Sequence, residues 1–258
     1  MEKINIEIPG ELLTAGDKEI NFGLLQNKII VGLCGYAGSG KDTLGKIMVE
    51  NLGFKRISFG DALKKDLNEH MRPQVFNDLK EKGTDINMED VNFLFPRNAE
   101  IKEILRPYMI WFSELMKEMN GIHHWTNRAL LEIGDNKKIV ITDVRRINEL
   151  ELFQNNKEQY RKRIDSMCMA ELPESYLDFV KENKDNSDFD SLLIHINQFK
   201  LTDKDSRTTD AIRVCQENWL FDHTVYIDSR IPDKENYRKN YMYNNLLQLI
   251  NKFPKYFI

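Results

Sequence analysis

The sequence IIVGLCGYAGSGKDTLGK, residues 29–46, decides the fold of this chain. It begins as a β-branched apolar run typical of a buried strand, continues as a glycine-rich turn, and resumes as an amphipathic helix. Gly35, Gly40 and Lys41 fit the spacing G-x-x-x-x-G-K, in which backbone N–H groups converge on phosphate oxygens. Lys41 adds a positive charge, and the following helix offers the positive end of its dipole. The stretch therefore predicts a nucleotide-phosphate-binding loop between a parallel strand and a helix.

Asp42 departs from the usual pattern, in which a Ser or Thr hydroxyl that meets Mg²⁺ follows the lysine. Here Thr43 comes one position later. Two compatible roles stay open: Asp42 binds Mg²⁺ directly or through water, or it stabilises the start of the helix while Thr43 keeps a phosphate contact. An uncompensated carboxylate beside a triphosphate would be repulsive, so we favour the metal role. Asp42 and Thr43 are the candidate metal ligands.

The composition is that of an ordinary globular protein, with 41% apolar and 30% charged residues in a chain of 258. A net charge of -4 argues against a general nucleic-acid binder. The cysteines lack metal-ligand spacing, which indicates free thiols in a reducing compartment. Without a membrane-length apolar run or a signal-peptide core, we expect a cytoplasmic protein with no membrane partner. The oligomeric state stays open, a homodimer included.

Apolar periodicity predicts an α/β fold with a central, mainly parallel sheet flanked by helices. Strands are expected at 54–59, 138–143, 159–165 and 222–228, in addition to 29–34. Helices are expected at 42–51, from residue 61, at 99–120 with a kink or break at Pro107, at 125–133, from 144 to 153, and at 237–253. The region 72–97 reads as loops and short helical pieces. A charged insertion at 166–218 is predicted to be helical at 174–181 and 191–199.

Asp143, Arg145 and Arg146 follow the strand predicted over 138–143. An acidic residue at a strand end beside a phosphate loop is the arrangement that holds Mg²⁺ or its waters in phosphoryl-transfer enzymes. Positive charge at a helix N-terminus opposes the helix dipole and favours a bound anion over a solvated surface. The two arginines therefore predict phosphate binding.

Four segments together carry a family resemblance: GYAGSGKDT at 35–43, SFGDALKK at 58–65, Leu105-Arg106 leading to Trp125, and IVITDVRRINE at 139–149. They resemble the deoxynucleoside monophosphate kinases of bacteriophages and their relatives. The resemblance implies a P-loop kinase fold. It also implies transfer of the γ-phosphoryl group of ATP to a small-molecule nucleoside monophosphate, with Mg²⁺. It spans roughly residues 28–165 and the strand near 222–228, and leaves 1–27 and most of 166–218 unexplained.

The resemblance also implies residue roles. The residues that would wrap the ATP phosphates are Gly35, Ala37, Gly38, Ser39, Gly40, Lys41, Asp42 and Thr43. The candidate catalytic residues are Lys41, Arg106, Asp143 and Arg145. Lys41 would neutralise charge on the transferring group, Arg106 and Arg145 would grip the acceptor or transferring phosphate, and Arg146 is a weaker third. Asp143 would support the metal or orient Arg145. Asp61 and Trp125 would border the acceptor nucleotide, although a core-packing role suits Trp125 equally well.

The predicted organisation has four parts: an N-terminal extension over 1–27, a P-loop kinase core over 28–165 with an acceptor-binding helical region at about 61–130, an insertion or lid over 166–218, and a C-terminal strand and helix over 219–258. Arg207 and Arg213 in the insertion are lid candidates on composition alone. A lid and a structural or partner-binding arm suit this insertion equally well.

Two other functions stay open. Gly-Lys-Asp together with Asp-x-Arg-Arg also resembles the animal-type phosphomevalonate kinases, over 38–42 and 140–146, which would make the acceptor another small phosphorylated molecule. The second alternative is a non-catalytic nucleotide-binding regulatory or scaffold protein that holds a partner through the charged insertion.

Overall fold

The computed structural model describes residues 4, 6–8, 10, 19–153, 190–198, 212–213, 221–227 and 235–258. The chain divides into two compact units. Unit 1 comprises Met1–Ile20 and Ser58–Ala129, and unit 2 comprises Asn21–Ile57 and Leu130–Ile258. The helical region predicted over about 61–130 falls in unit 1, while the predicted domain boundaries themselves stay a prediction.

The regular elements of the described residues, in chain order, are β1 (Ile29–Cys34), α1 (Lys41–Leu52), β2 (Lys55–Ile57), α2 (Phe59–Asp66), α3 (Arg72–Glu81), α4 (Ala99–Asn120), α5 (His124–Leu131), β3 (Lys138–Val144), α6 (Ile147–Leu150), β4 (Asp190–Gln198), β5 (His223–Ile227), α7 (Glu235–Lys252) and α8 (Pro254–Phe257). Shorter turns of helix lie at Phe22–Leu25, Leu67–Met71, Met88–Asp90 and Glu151–Phe153.

Unit 2 is built on a parallel sheet. The five described strands run in the order β2-β3-β1-β4-β5, and every neighbouring pair is parallel. β1 and β3 carry long β-branched runs and are buried along nearly their whole length, as expected of parallel strands covered on both faces. The predicted α/β fold with a mainly parallel central sheet is confirmed.

Helices α1 and α7 cover one face of this sheet. Their apolar side chains form one core with those of the strands, and the members of that core from these two helices are Leu44, Ile47, Met48, Met242, Leu246 and Leu249. Gly45 lets α1 lie close to β3, because a Cβ atom there would stand 2.4 Å from Cγ2 of Thr142. On β1, a Cβ atom at Gly32 would stand 2.4 Å from the ring of Phe153. The glycines thus allow close packing of the elements beside the central strand.

Unit 1 is helical in its described part. α4 begins where the Asn98 side chain accepts a hydrogen bond of 2.9 Å from the Ile101 N–H, and it ends at Gly121. The bounds predicted for this helix are confirmed. Of the kink or break expected at Pro107, the break is absent, since the helix is continuous through it, and the kink stays a prediction. The buried face of α4 compensates for the hydrogen bond that proline cannot donate.

The region 72–97, predicted as loops and short helical pieces, contains the ten-residue helix α3 and the helical turn Met88–Asp90 with irregular chain around them. Pro73 lies in the first turn of α3, where no N–H is needed. One prediction is wrong. Residues 191–199, expected to be helical, lie almost entirely in β4. β4 is buried from Ser191 to Ile196, and a short segment without alternation of apolar and polar residues cannot be assigned to strand or helix by periodicity. Its nine residues belong to the sheet although they fall inside the predicted insertion.

Some predicted elements lie outside the described residues. These are the strand at 159–165, the helix at 174–181 and the candidate lid residue Arg207. Within the residues that the structure describes, the helices are all too short or too polar to cross a membrane.

Candidate phosphate-binding site

Three glycines shape the loop between β1 and α1. Gly35, Gly38 and Gly40 have φ angles of 148°, 77° and 99°, which residues with side chains rarely adopt. Space is also short at Gly35, where a Cβ atom would lie 2.4 Å from the carbonyl oxygen of Ile196 on β4. At Gly38 a Cβ atom would meet nothing within 4 Å, so the backbone angle alone favours glycine there. The resulting backbone allows an anion to approach the N–H groups of the loop closely.

Lys41 is the first residue of α1 and is almost fully buried. Its Nζ donates hydrogen bonds to the carbonyl oxygens of Gly35, at 2.7 Å, and Tyr36, at 2.6 Å. Burial, and next the charge of Arg145, lower the pKa of Lys41 to about 8, while Asp42 and Asp143 act in the opposite direction. The ammonium group therefore holds the loop together and places one positive charge at its base.

The ends of β1 and β3 lie side by side. Cys34 pairs with Val144 in the parallel register, so Gly35 and Arg145, the next residue of each strand, leave the sheet at the same edge. Carboxyl ends of parallel strands are where ligands bind in folds of this class. Asp143 is half-buried and Arg145 exposed, and the charges of both act on Lys41. The structure thus brings together Lys41, Asp143 and Arg145, as the sequence argument expected.

The turn after β3 differs from its prediction. The helix expected from residue 144 begins only at Ile147, and both arginines precede it. The reason is the buried carboxylate of Glu149, whose Oε2 accepts the backbone N–H of Arg145 at 2.7 Å and that of Arg146 at 2.9 Å. Burial, and next the charge of Asp143, raise the pKa of Glu149 to about 7. Two backbone donors are thereby satisfied outside the helix.

Arg56 on β2 links the start of α1 to β3. Its Nε donates to Oγ1 of Thr142 at 3.1 Å, and its Nη2 lies 3.7 Å from Oδ1 of Asp42. The Asp42 side chain is 83% exposed, so this ion pair is weak and readily exchanged. Asp42 is therefore accessible to a cation at the N-terminus of α1, a position that suits a carboxylate.

Uncharged groups lie beneath the loop. His195 on β4 pairs with Cys34 in register and stacks on Phe221, with ring centroids 4.6 Å apart. Burial, and next the charge of Lys41, lower the pKa of His195 to about 4. Burial raises the pKa of the Cys34 thiol to about 12. Both groups are therefore neutral near pH 7 and leave the positive charge of Lys41 without a counter-ion on this side.

The donor set at the loop fits the groups that phosphoryl transfer requires. Asp42 and Thr43 bring oxygen atoms to the first turn of α1, and Asp143 brings a carboxylate to the end of β3. Mg²⁺ takes oxygen ligands and is commonly held by one or two carboxylates together with substrate phosphates. The glycine backbone and Lys41 suit the phosphates of ATP. Mg²⁺ and the phosphates of ATP therefore both fit the residues present at the loop.

The three residues predicted on the acceptor side lie in unit 1 and have separate surroundings. Asp61, in the first turn of α2, pairs with Lys64 at 2.8 Å. Arg106 is exposed on α4 and lies 3.4 Å from Glu103. Trp125 is buried, and its Nε1 donates to the carbonyl oxygen of Ser113 at 3.1 Å. The contacts of Trp125 are those of a core side chain, the alternative that the sequence left open.

Unit 1 also contains three close potential metal ligands, Asp66, Glu69 and His70. Asp66 is buried and already accepts a hydrogen bond of 3.2 Å from Nε of Arg128. Its charge is therefore neutralised by a guanidinium group.

Sequence reasoning overlooked Glu149 and Arg56 as site residues. For Glu149 a signal existed, because a glutamate at the third helical position commonly binds the N–H groups before a helix. For Arg56 there was none, since a basic residue on a short exposed strand is usually solvated. His195 was hidden in the segment assigned to a helix.

A parallel sheet whose central strand leads through a glycine loop into a helix contains the strand–loop–helix unit of the phosphate-binding loop. Three solved kinases are similar to the chain. Dephospho-CoA kinase from Campylobacter jejuni has 14% identity and a TM-score of 0.36, over 87% of this chain and 98% of the other. Shikimate kinase from Bacteroides thetaiotaomicron has 12% identity and a TM-score of 0.33, over 86% of this chain and 98% of the other. Thymidylate kinase from Ehrlichia chaffeensis has 13% identity and a TM-score of 0.33, over 86% of this chain and 98% of the other.

No protein-family model matches the sequence, and no curated protein matches it. The structural likenesses have identities of 14% or lower and TM-scores of 0.36 or lower. They therefore assign the chain to no family and to no substrate, and the case for function depends on the geometry of the site.

Proposed function

We propose that this chain is a kinase that transfers the γ-phosphoryl group of ATP to a deoxynucleoside monophosphate in the presence of Mg²⁺. The observation that carries the proposal is the meeting of two basic groups from neighbouring strand ends. Lys41 follows β1 and Arg145 follows β3, and the charge of Arg145 acts on Lys41. A loop that only bound a nucleotide would need no second cationic group at this edge, whereas a site that moves the γ-phosphoryl group needs one to neutralise the charge that develops in the transition state.

The residues present suit that role. The loop from Gly35 to Gly40 would cradle the phosphates of ATP with its N–H groups. Lys41 would neutralise charge that develops on the transferring group, and Asp42, Thr43 and Asp143 would hold Mg²⁺. When bound, Mg²⁺ supplies charge neutralisation and orientation of the phosphate oxygens.

Arg145, with Arg146 as a weaker third cation, would bind the acceptor phosphate or the transferring one. An exposed guanidinium can form paired hydrogen bonds with phosphate oxygens. Phosphoryl transfer depends on positioning and charge, so this chain needs no side-chain nucleophile.

The acceptor-side assignments of Asp61, Arg106 and Trp125 stay predictions that rest on the resemblance. A preference for deoxynucleotides rests on the same ground. Trp125 is the weakest of the three assignments, because its indole N–H already has a backbone partner in the core of unit 1.

An acceptor panel tests the proposal. The full chain is incubated with ATP and Mg²⁺ and with each of the natural deoxynucleoside monophosphates, their base-modified analogues, the ribonucleoside monophosphates and phosphomevalonate. ADP release is then measured. We expect at least one deoxynucleoside monophosphate to stimulate release, with a kcat on the order of 1–100 s⁻¹. The Lys41→Ala variant, purified identically, measures contaminating kinases.

The other outcomes separate the alternatives. Turnover of phosphomevalonate alone would replace the acceptor class. ATP binding without acceptor-dependent ADP release would favour the regulatory or scaffold protein. Either result would overturn the proposed function.

A further inference from the structure

A buried carboxylate organises the turn that carries the two arginines. Glu149 is 7% exposed, and its Oε2 accepts the N–H groups of both Arg145 and Arg146. Its other oxygen, Oε1, lies 4.0 Å from Nε of Arg146. One side chain thus contacts the backbone of both arginines and the side chain of one.

The position of Arg145 depends on its backbone. Arg145 leaves the sheet directly after Val144, beside the start of the glycine loop, and its side chain is exposed. Within the described part of the chain, no carboxylate forms an ion pair with its guanidinium. The contact that fixes where this side chain begins is therefore the 2.7 Å hydrogen bond between the Arg145 N–H and Glu149.

Glu149 does more than stabilise a helix end. α6 is only four residues long, so a cap there stabilises little regular structure. The carboxylate is also buried near Asp143, whose negative charge opposes it. Burial of a carboxylate costs free energy unless hydrogen bonds compensate for it. The compensating bonds of Glu149 go to the backbone of Arg145 and Arg146, the two residues that follow β3.

We infer that Glu149 is a positioning residue, which fixes the backbone from which Arg145 reaches a substrate phosphate. The inference rests on the proposed kinase function, because it concerns how the acceptor side of that same site is held. Glu149 acts through Arg145 and touches no substrate itself.

Two conservative variants separate the reach of the side chain from its charge. Glu149→Gln keeps the length and one acceptor oxygen but has no charge. Glu149→Asp keeps the charge but is one methylene shorter, so its oxygen cannot reach both N–H groups. We expect kcat/KM for the acceptor to fall less than about threefold in the Gln variant and about 10²-fold in the Asp variant, because small misplacements of positioning groups cost that much.

A second measurement tests whether the effect passes through Arg145. The Glu149→Ala change is made in the wild type and in an Arg145→Ala background, and the two losses of kcat/KM are compared. We expect Glu149→Ala to lower kcat/KM about 10²-fold in the wild type and less than about threefold in the Arg145→Ala background. The KM for ATP should stay unchanged, because the glycine loop binds ATP, whereas general loss of structure would raise it.

Glu151→Gln is the matched control. Glu151 lies two residues further on, and burial likewise raises its pKa to about 7. We expect this variant to keep wild-type kcat/KM. ADP binding to every variant, measured by calorimetry, shows that the loop remains folded.

The outcomes are distinct. A wild-type chain that is inactive with every acceptor contradicts the proposed function. An active wild type in which Glu149→Asp works better than Glu149→Gln, or in which the Ala loss is undiminished in the Arg145→Ala background, overturns the positioning role alone.

Discussion

The glycine loop of residues 35–40 and the turn of residues 144–149 bring positive charge to one edge of the sheet by different means. In the loop the backbone is shaped by glycines, and the Lys41 ammonium is buried against two loop carbonyls. The turn is shaped by the carboxylate of Glu149, and the Arg145 side chain is exposed. A loop whose shape depends on its own glycines is recognised directly in a sequence, whereas a turn held by a side-chain contact leaves only a weaker signal, here the glutamate at the third helical position.

Among the changes that test this comparison, removal of the Lys41 ammonium group should have the largest effect. We expect Lys41→Ala to lower kcat about 10³-fold or more, because the charge on the transferring group loses its neutralising cation. The free energy of unfolding should change by less than about 2 kcal/mol, since burial of a charge costs what its hydrogen bonds return. Steady-state kinetics and urea unfolding measure the two quantities. A variant with near-normal kcat would contradict the assignment of the loop.

Alanine at Gly35 should break the loop through its backbone, with alanine at Gly38 as the matched control. Both positions have positive φ, which costs alanine about 1–3 kcal/mol. Only Gly35 adds a contact of 2.4 Å with a backbone oxygen, so we expect a total loss of about 3 kcal/mol there. Urea unfolding measures both variants. Equal losses would mean that the angle alone, and not the packing on β4, requires glycine.

The pH dependence of stability should reveal the cost of shaping the turn with a carboxylate. Folding raises the pKa of Glu149 from 4.5 to about 7, so the folded state holds the proton more tightly and stability falls as pH rises through this window. Glutamine has no proton to lose. We expect the free energy of unfolding of Glu149→Gln to rise by about 2 kcal/mol relative to that of the wild type as the pH goes from 5 to 8.

Unfolding of both proteins at the two pH values measures this gain. The contribution of Glu151 is common to both and cancels in the difference. A difference that does not change with pH would show that Glu149 titrates as it does in the unfolded chain.

Arg145→Lys should have a smaller effect than these, yet larger than conservation of charge suggests. Lysine is a point charge and cannot reproduce the paired hydrogen bonds of a guanidinium with phosphate. We expect kcat/KM for the acceptor to fall about tenfold. Arg146→Lys, at the half-buried neighbour beside Glu149, should lower it less than about threefold. Unchanged kinetics in Arg145→Lys would mean that Arg145 is a solvated surface residue that binds no phosphate.

The sequence was sufficient for the elements whose signals are local. The strand, loop and helix around Lys41, the bounds of α4 and the strand that ends near Asp143 all follow from apolar periodicity and glycine spacing. Each of these patterns lies within one continuous segment of the chain. The convergence of Lys41 and Arg145 could also be predicted, because carboxyl ends of parallel strands share an edge of the sheet.

The elements that the sequence misassigned depend on contacts made elsewhere in the fold. β4 read as a helix because a strand buried on both faces shows no alternation. Of the kink or break expected at Pro107, the break is absent because the packing of the apolar face of α4 outweighs one missing hydrogen bond. The turn at Arg145 and the contact of Arg56 with Thr142 each require a partner that is remote in sequence or hidden by burial.

Transfer of a labelled phosphoryl group tests the central claim most directly, namely that the loop and the turn serve two phosphorylated ligands at one site. The chain is incubated with Mg²⁺, ATP labelled at the γ-phosphate and the best acceptor from the panel, and the label is followed by chromatography. We predict that the label appears in the nucleoside diphosphate, and that Arg145→Ala slows its appearance. Label found only in inorganic phosphate would show hydrolysis without transfer and would contradict the account.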